Sequence, residues 1–446
     1  MSRSTPNRWA TCMLGLLVVL TMTTATAQGQ KRIGLQTWFY SSPINGEILD
    51  WAIAEFEQQH PDVVIEPLSI TNEAYWDRLA LEIVSGTEAC IVALDTGAGM
   101  SGYYGLRQGG AFIGLDAYID GYVLPDGTSL EEDILLIDNH RIDGKTIALP
   151  YIWFAAPHTA YRESHLAAAG ISPEQLTTWE GFFEAAQALT LDKDGDGRID
   201  QYGFGHPSYA EVISRWWHMH WLWTAGGGIF PNEEPPFTAD RLIFNSPENL
   251  RAVEYLVEIT NAAAPPGEKR LHELLEMFYA SNLSMVQVAL WTVGNLEADM
   301  RPDGAFENDL GFAPFPALVM DGVRHEPVYV AWGNPLAIST NCAYPDEAFE
   351  FIAFLHSEES QRRHSVTRTP VNKRVLGEWY EENYPVQAEF VNMALEYEMR
   401  IVPDMPQWNE IDHIVQQALN SALVGARTPA EALEWGQRQM ERVLAR

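Results

Sequence analysis

A proline at position 150 divides an otherwise continuous apolar and aromatic run, and this break constrains the fold more than any other feature. The run follows a turn at Asp143-Gly144 and ends at Tyr161. Pro150 cannot donate a hydrogen bond to a β-ladder, and it restricts Leu149 to extended geometry. A strand that stops and resumes is expected where a chain leaves one lobe for another. The alternative is a single buried strand with a bulge at Pro150.

Two further segments show the same kind of interruption, one at Gly333-Asn-Pro335 and one after Arg368-Thr-Pro370. A chain of 446 residues is longer than one hydrophobic core usually serves, so two lobes are expected. We therefore predict three crossings between the same two lobes, near residues 151–156, 333–338 and 369–376. Three such connections would form a hinge that can close around a ligand.

Export is indicated by the first 27 residues, which combine a basic start, a short apolar core and the small-residue site Ala25-Thr-Ala27. This is the pattern of a secretory signal peptide, and we expect cleavage near Ala27. The formal net charge of −33 excludes partners that are themselves anionic, such as nucleic acid or acidic lipid headgroups. Cys90 and Cys342 remain after cleavage, and we expect free thiols, with a disulfide as the alternative that an oxidising compartment permits.

Strands and helices alternate in the first part of the chain, which predicts a mainly parallel α/β sheet. Ligands of such sheets bind beyond the carboxyl ends of the strands. Trp38, Tyr40 and Asp95 follow predicted strands at this position.

An acidic loop resembles a calcium-binding loop of the EF type in its spacing. Asp192, Asp194, Asp196 and Asp200 occupy ligand positions 1, 3, 5 and 9, and Arg198 would offer its carbonyl oxygen. The twelfth position holds Gly203 rather than the usual glutamate, so the pattern is incomplete. Four carboxylates so close together repel one another without a cation, so we expect a structural calcium ion here. The alternative is an acidic turn without metal.

The order of motifs resembles the extracellular solute-binding proteins of family 1, the sugar-binding group of ABC importers that includes maltose-binding protein. The matching segments are Gly109–Asp116, Asp143–Pro150 with Tyr161 and Gly170, Thr178–Phe182, Asp192–Phe204, Phe278–Trp291, Ala348–Phe354, and the Trp408 helix with Thr428–Leu433. Arg162 replaces the asparagine of the family's Tyr-Asn-Lys signature, and Ala289 stands where glycine is common. No lipid-attachment cysteine is present at the cleavage point, which suggests a Gram-negative periplasm.

The resemblance implies an α/β, two-lobed periplasmic-binding-protein fold of type II with three interlobe crossings. We expect residues 28–152 and 337–375 to form the N-terminal lobe, and residues 153–336 and 376–446 the C-terminal lobe. The implied function is that of a monomeric receptor without a required cofactor or enzymatic activity. It would bind a sugar or oligosaccharide in the cleft and deliver it to an ABC permease.

Aromatic rings cover the C–H faces of a sugar, while carboxylates, amides and arginine bind its hydroxyl rim. The ligand-binding candidates lie in loops or at the interruptions: Trp38, Tyr40, Asp95, Tyr151, Trp153, Trp223, Trp291, Trp332, Asn334, Arg368 and Trp408. Trp291 and Trp408 match aromatic positions of the family. Each tryptophan has core packing as its alternative role, which we favour for Trp216, Trp217 and Trp221.

Two other functions stay open. Aromatic cages also bind cations such as quaternary ammonium compounds or polyamines, and an acidic protein would attract them. A secreted glycoside hydrolase would also have an aromatic cleft with carboxylates.

Overall fold

The computed structural model describes residues 29–41, 43–94, 110–142, 144–208, 216–289, 292, 309–366, 368–403 and 405–446. The strands are β1 Lys31–Thr37, β2 Val63–Ser69, β3 Ile91–Ala93, β4 Arg141–Ile142, β5 Lys145–Thr146, β6 Leu149–Ala156, β7 His158–Arg162, β8 Tyr202–Gly205, β9 Leu283–Val288, β10 Leu310–Ala313, β11 Leu318–Met320, β12 Val323–His325, β13 Val328–Ile338, β14 Thr369–Pro370 and β15 Glu398–Arg400.

The helices follow the same order along the chain. They are α1 Pro43–Gln59, α2 Asn72–Ser85, α3 Asp116–Ile119, α4 Leu130–Asp133, α5 Glu163–Ala169, α6 Trp179–Ala188, α7 Trp216–Thr224, α8 Pro247–Ala263, α9 Leu271–Tyr279, α10 Pro345–Leu355, α11 Glu358–His364, α12 Glu378–Asn383, α13 Pro385–Leu395, α14 Trp408–Leu423 and α15 Pro429–Leu444. Local sequence signals account for several boundaries. Gly86 and Gly170 end α2 and α5 in the left-handed conformation, which glycine adopts without strain. Thr428 and Glu431 form a capping box at the start of α15.

Two main sheets organise the chain. The large sheet has seven strands in the order β14-β6-β13-β3-β1-β2, with β15 also paired to β13. The small sheet has four strands in the order β10-β7-β9-β8. Strands β1, β2 and β3 run parallel to one another, as do β8 and β9, which agrees with the predicted α/β class.

Pro150 does not end the strand, because β6 runs through it with a bulge. The pairing of β6 with β13 shifts between Asn334 and Pro335, which leaves Tyr151 as the extra residue of β6. Pro150 and Pro335 face each other at this point, and neither has an amide hydrogen for the ladder. The bulge alternative is therefore the correct interpretation of the sequence, and the predicted break in the strand is wrong.

Among the described residues, the chain passes between the two sheets three times. It leaves the large sheet after Ala156 and enters the small sheet at His158. It returns between β10 and β13, and it leaves again between β15 and α14, which packs on α8. The predicted crossings near 333–338 and 369–376 stay predictions. The first segment lies in β13, which pairs with β15 at its start and with β3 at its end, and the second begins with β14, which pairs with β6.

The two cysteines form a disulfide, which corrects the expectation of free thiols. Cys90 immediately precedes β3 and Cys342 follows β13, and their Cα atoms lie 4.5 Å apart. The antiparallel pairing of β3 with β13 brings together these two positions, which are 252 residues apart in the sequence. The bond therefore fastens a long-range strand pair.

Replacing both cysteines, as in Cys90→Ala with Cys342→Ala, should lower the free energy of unfolding by about 2–4 kcal/mol, because the unfolded chain loses a long closed loop. Urea unfolding of the oxidised protein measures this change. Adding a reductant should destabilise the wild type and leave the double variant unchanged. Equal unfolding midpoints for the oxidised wild type and the variant would show that the disulfide does not stabilise the fold.

Candidate ligand site between the sheets

The carboxyl edges of the parallel strands in the two sheets face each other. In the large sheet, β6 is antiparallel to β13, and β13 is antiparallel to β3, so β6 ends at the same edge as β1 and β3. In the small sheet, β7 is antiparallel to β9 and therefore begins at the carboxyl edge of β8 and β9. The continuous passage from β6 through Pro157 into β7 joins these two edges. Ligands of α/β sheets bind at such edges.

On the large-sheet side, Trp38 and Tyr40 follow β1 as predicted. Trp38 is half-buried and contacts the rings of Phe39, Tyr75 and Trp76, with centroids 4.5–4.9 Å away. Tyr40 donates a hydrogen bond of 2.5 Å to Asp50, and the nearby carboxylate raises the pKa of its phenol. Part of the Trp38 ring stays available beside this edge.

Tyr151 and Trp153 lie in the core, so their predicted display to a ligand is wrong. Each side chain is 1% exposed. The Tyr151 hydroxyl contacts His364, and the Trp153 indole donates to the Pro370 carbonyl at 3.0 Å. The polar atoms of both residues are therefore engaged inside the protein.

Trp223 is also a core residue, at the end of α7. Its indole donates to Glu233 at 2.8 Å, and the amides of Ile229 and Phe230 donate to the same carboxylate at 2.9 and 3.0 Å. Burial raises the pKa of Glu233 to about 7, although all three donors act in the opposite direction. This carboxylate fixes the glycine-rich loop after α7.

Core packing is confirmed for Trp217 and Trp221, while nothing is described of the Trp216 side chain.

Trp408 is the first residue of α14 and is 6% exposed, and its indole nitrogen has no hydrogen-bond partner. Asn334 is buried in β13 beside the bulge, which corrects its predicted place on an exposed rim. Arg368 is half-buried just before β14. Trp332 pairs with Phe154 in the ladder, while Asp95 and Trp291 lie outside the described residues.

Polar side chains that sequence reasoning missed lie close to both edges. Gln36 in β1 is fully buried, and neither atom of its side-chain amide has a partner. Near the edge of the small sheet, Thr159, His206 and Gln287 are buried, and each has a polar atom without a partner. Gln287 offered a signal, because it is a long polar side chain between two valines in a strand that is otherwise mostly apolar.

The acidic loop brings together three of its four predicted carboxylates. Oxygen atoms of Asp192, Asp194 and Asp200 lie within 4.8 Å of one another, and all three residues are exposed. Both oxygens of Asp192 accept backbone amides at 2.8 Å, from Gly195 and Gly197. Asp196 is not in this group, and its carboxylate accepts the amide of Arg198 at 2.8 Å. The loop is therefore held by its own amides.

Arg162, the departure from the family signature, forms a half-buried structural contact. Its guanidinium pairs with Asp309 and donates to the Phe278 carbonyl at 2.9 Å. These bonds join the end of β7 to β10 and α9.

Two sheets with facing carboxyl edges, joined by three passages, define a type II periplasmic binding protein, and solved structures share this fold. An ABC substrate-binding protein from Listeria monocytogenes in complex with cycloalternan aligns with a TM-score of 0.72 and 21% identity, covering 93% of this chain and 99% of that one. The GacH receptor of Streptomyces glaucescens, solved unliganded and with acarbose, aligns with a TM-score of 0.74 and 16% identity, covering 93% of this chain and 99% of that one.

Sequence comparison identifies the family. The description "Bacterial extracellular solute-binding protein" matches residues 41–362, and the chain belongs to this family. A "Probable ABC transporter-binding protein" of Deinococcus radiodurans is 20% identical over 322 residues, which are 70% of this chain and 72% of that protein. The family is defined by solute binding. Within the described residues, no helix is both long and apolar enough to span a membrane.

Proposed function

We propose that this protein is the substrate-binding component of an ABC importer and binds a sugar or oligosaccharide between its two sheets. The observation that carries the proposal is the pair of facing carboxyl edges in a chain of the solute-binding family. It would deliver the ligand to a membrane permease without altering it chemically. The structurally similar receptors whose complexes contain cycloalternan and acarbose support a saccharide as the ligand.

Closure would come from relative movement of two lobes, each built on one main sheet. The passages at Pro157, between β10 and β13, and between β15 and α14 are our candidate hinge segments. They modify the lobe boundaries predicted from the sequence, since the first passage lies after residue 152. A ligand shifts the open–closed balance only by its difference in affinity for the two states.

Our leading aromatic contacts are Trp38, which follows β1 of the large sheet, and Trp408, which begins α14. Trp38 offers part of a ring, and Trp408 offers an indole N–H without a partner in the structure. We retain Tyr40, Asp95, Trp291, Trp332 and Arg368 as further candidates for the same cleft. The protein would act as a periplasmic monomer after removal of residues 1–27, and these residues lie outside the described part.

A thermal-shift screen tests the ligand class directly. Maltose, mannotriose or α-D-tagatose should raise the melting temperature, whereas spermidine and choline should not. Trp38→Ala should weaken binding of the active sugar by about tenfold to hundredfold, because loss of a stacking ring costs about 1–3 kcal/mol. Trp51→Ala is the matched control, since Trp51 lies on α1 under Arg363 and should leave affinity unchanged.

If only the cations raise the melting temperature, the ligand is a cationic solute and not a sugar. Turnover of a glycoside panel by the pure protein would favour the hydrolase alternative instead.

A calcium ion in the Asp192–Asp200 loop stays a prediction from the sequence, and oxygen atoms of three of its aspartates lie within 4.8 Å of one another. Calcium should raise the melting temperature and EDTA should reverse the rise, because the cation relieves repulsion among the carboxylates. Asp192→Asn should abolish the response, while Asp240→Asn on the surface elsewhere should retain it. No calcium heat in titration calorimetry and no effect of EDTA would identify a metal-free turn.

A further inference from the structure

Three neighbouring side chains form a buried polar row in the small sheet. Thr159 of β7 pairs with Gln287 of β9, and His206 follows β8, whose Gly205 pairs with Val286. The three residues are 0%, 1% and 4% exposed respectively. We call them the polar row. Its members occupy matching positions on three neighbouring strands, so they form one continuous group across the sheet.

The hydrogen bonds of the polar row are incomplete. His206 Nδ1 lies 2.9 Å from Gln287 Oε1. The remaining atoms, His206 Nε2, Gln287 Nε2 and Thr159 Oγ1, have no partner in the structure. Leaving buried polar atoms unpaired destabilises a folded chain, and most proteins avoid it. Three such atoms in adjacent residues therefore indicate a group that the folded chain itself does not supply.

The polar row lies close to the candidate ligand site. Thr159 is the second residue of β7, Gln287 is the second-last residue of β9, and His206 immediately follows β8. All three are thus within one residue of the edge that faces the large sheet. Helix α7 covers this region, with the ring of His218 centred 4.8 Å from that of His206.

The row is electrically neutral but rich in hydrogen-bonding capacity. Burial lowers the pKa of His206 to about 4, so its imidazole is neutral at physiological pH. With the Nδ1 proton donated to Gln287, the Nε2 lone pair is left as an acceptor. The Gln287 amide nitrogen only donates, and the Thr159 hydroxyl does both. A hydroxyl group, which donates and accepts, complements this set, whereas a cation would face N–H groups and a carboxylate could not donate to Nε2.

Metal binding is a less suitable use of these residues. Zinc and similar ions take three or four ligands from histidine, cysteine or carboxylate side chains. Within the described residues, the only group of three such ligands is the acidic loop at Asp192–Asp200.

We propose that the polar row is a specificity pocket that receives one hydroxyl group of the bound saccharide. The inference rests on the proposed function and refines it, because it names the residues by which the C-terminal lobe would recognise a neutral polyhydroxylated ligand. Opening of the cleft admits the hydroxyl, and closure buries it between the acceptor on His206 and the donor on Gln287.

Substitutions that keep shape and remove polarity test the proposal. Thr159→Val, Gln287→Leu and His206→Leu should each weaken binding of the active sugar among maltose, mannotriose and α-D-tagatose by about tenfold, measured by titration calorimetry. The melting temperature of ligand-free Thr159→Val should be unchanged or higher, because this substitution removes an unpaired polar atom and breaks no hydrogen bond. His206→Leu and Gln287→Leu also lose the bond between these two side chains, so their melting temperatures should fall. That combination separates a ligand contact from a structural role.

Thr190→Val is the matched control. The Thr190 hydroxyl donates to Ala186 O at 2.8 Å and accepts the Gly203 amide at 3.0 Å, so it is fully used by the fold. Its loss should lower the melting temperature and leave sugar affinity unchanged.

Weaker binding by the polar-row variants supports the inference when the melting temperature of Thr159→Val is not lowered and Thr190→Val binds normally. A lowered melting temperature of Thr159→Val would assign the row to the stability of the fold and overturn the inference. Unchanged affinity in all three variants overturns it and assigns the row to internal water only, while leaving the proposed function intact. If the wild type binds none of the sugars, the proposed function fails, and this inference fails with it.

Discussion

The structure depends on a bulge in the strand that joins the two sheets. Pro150 of β6 and Pro335 of β13 oppose each other, and neither can donate to the ladder. Distant residues hold the bulge in place. His356 Nε2 lies 2.6 Å from the Pro150 carbonyl, and the Gln361 amide donates to the Tyr151 carbonyl at 3.2 Å. His356, which immediately follows α10, and Gln361 of α11 thus hold the point at which neither proline can donate to the ladder.

This fixed bulge determines where the chain goes next. β6 ends at Ala156, and after Pro157 the chain forms β7 of the small sheet. The direction of β6 therefore determines where the carboxyl edge of the large sheet lies relative to that of the small sheet. The disulfide lies just beyond the carboxyl end of β13, away from the passage at Pro157, and links β13 to β3. The long-range pairing that supports the large sheet is therefore secured on both sides. Residues near the facing edges are left to contribute to binding.

The sequence was sufficient for the α/β class, the family resemblance, many helix and strand boundaries and the position of Trp38 after β1. It was not sufficient for the burial of Tyr151 and Trp153, because their polar partners are more than 200 residues away along the chain. The cysteine pairing failed for the same reason, since β3 and β13 meet only in the folded sheet. At Pro150, the sequence pattern was compatible with a bulge in the strand, but it did not indicate that the aromatic side chains that follow are buried.

Solution scattering tests the central claim most directly, which is that two lobes joined by three passages close on a saccharide. With a sugar whose binding has been established by calorimetry, the radius of gyration should decrease at saturation and return to its original value after dialysis. An identical scattering profile with and without that sugar, at concentrations that saturate the site, would contradict the account.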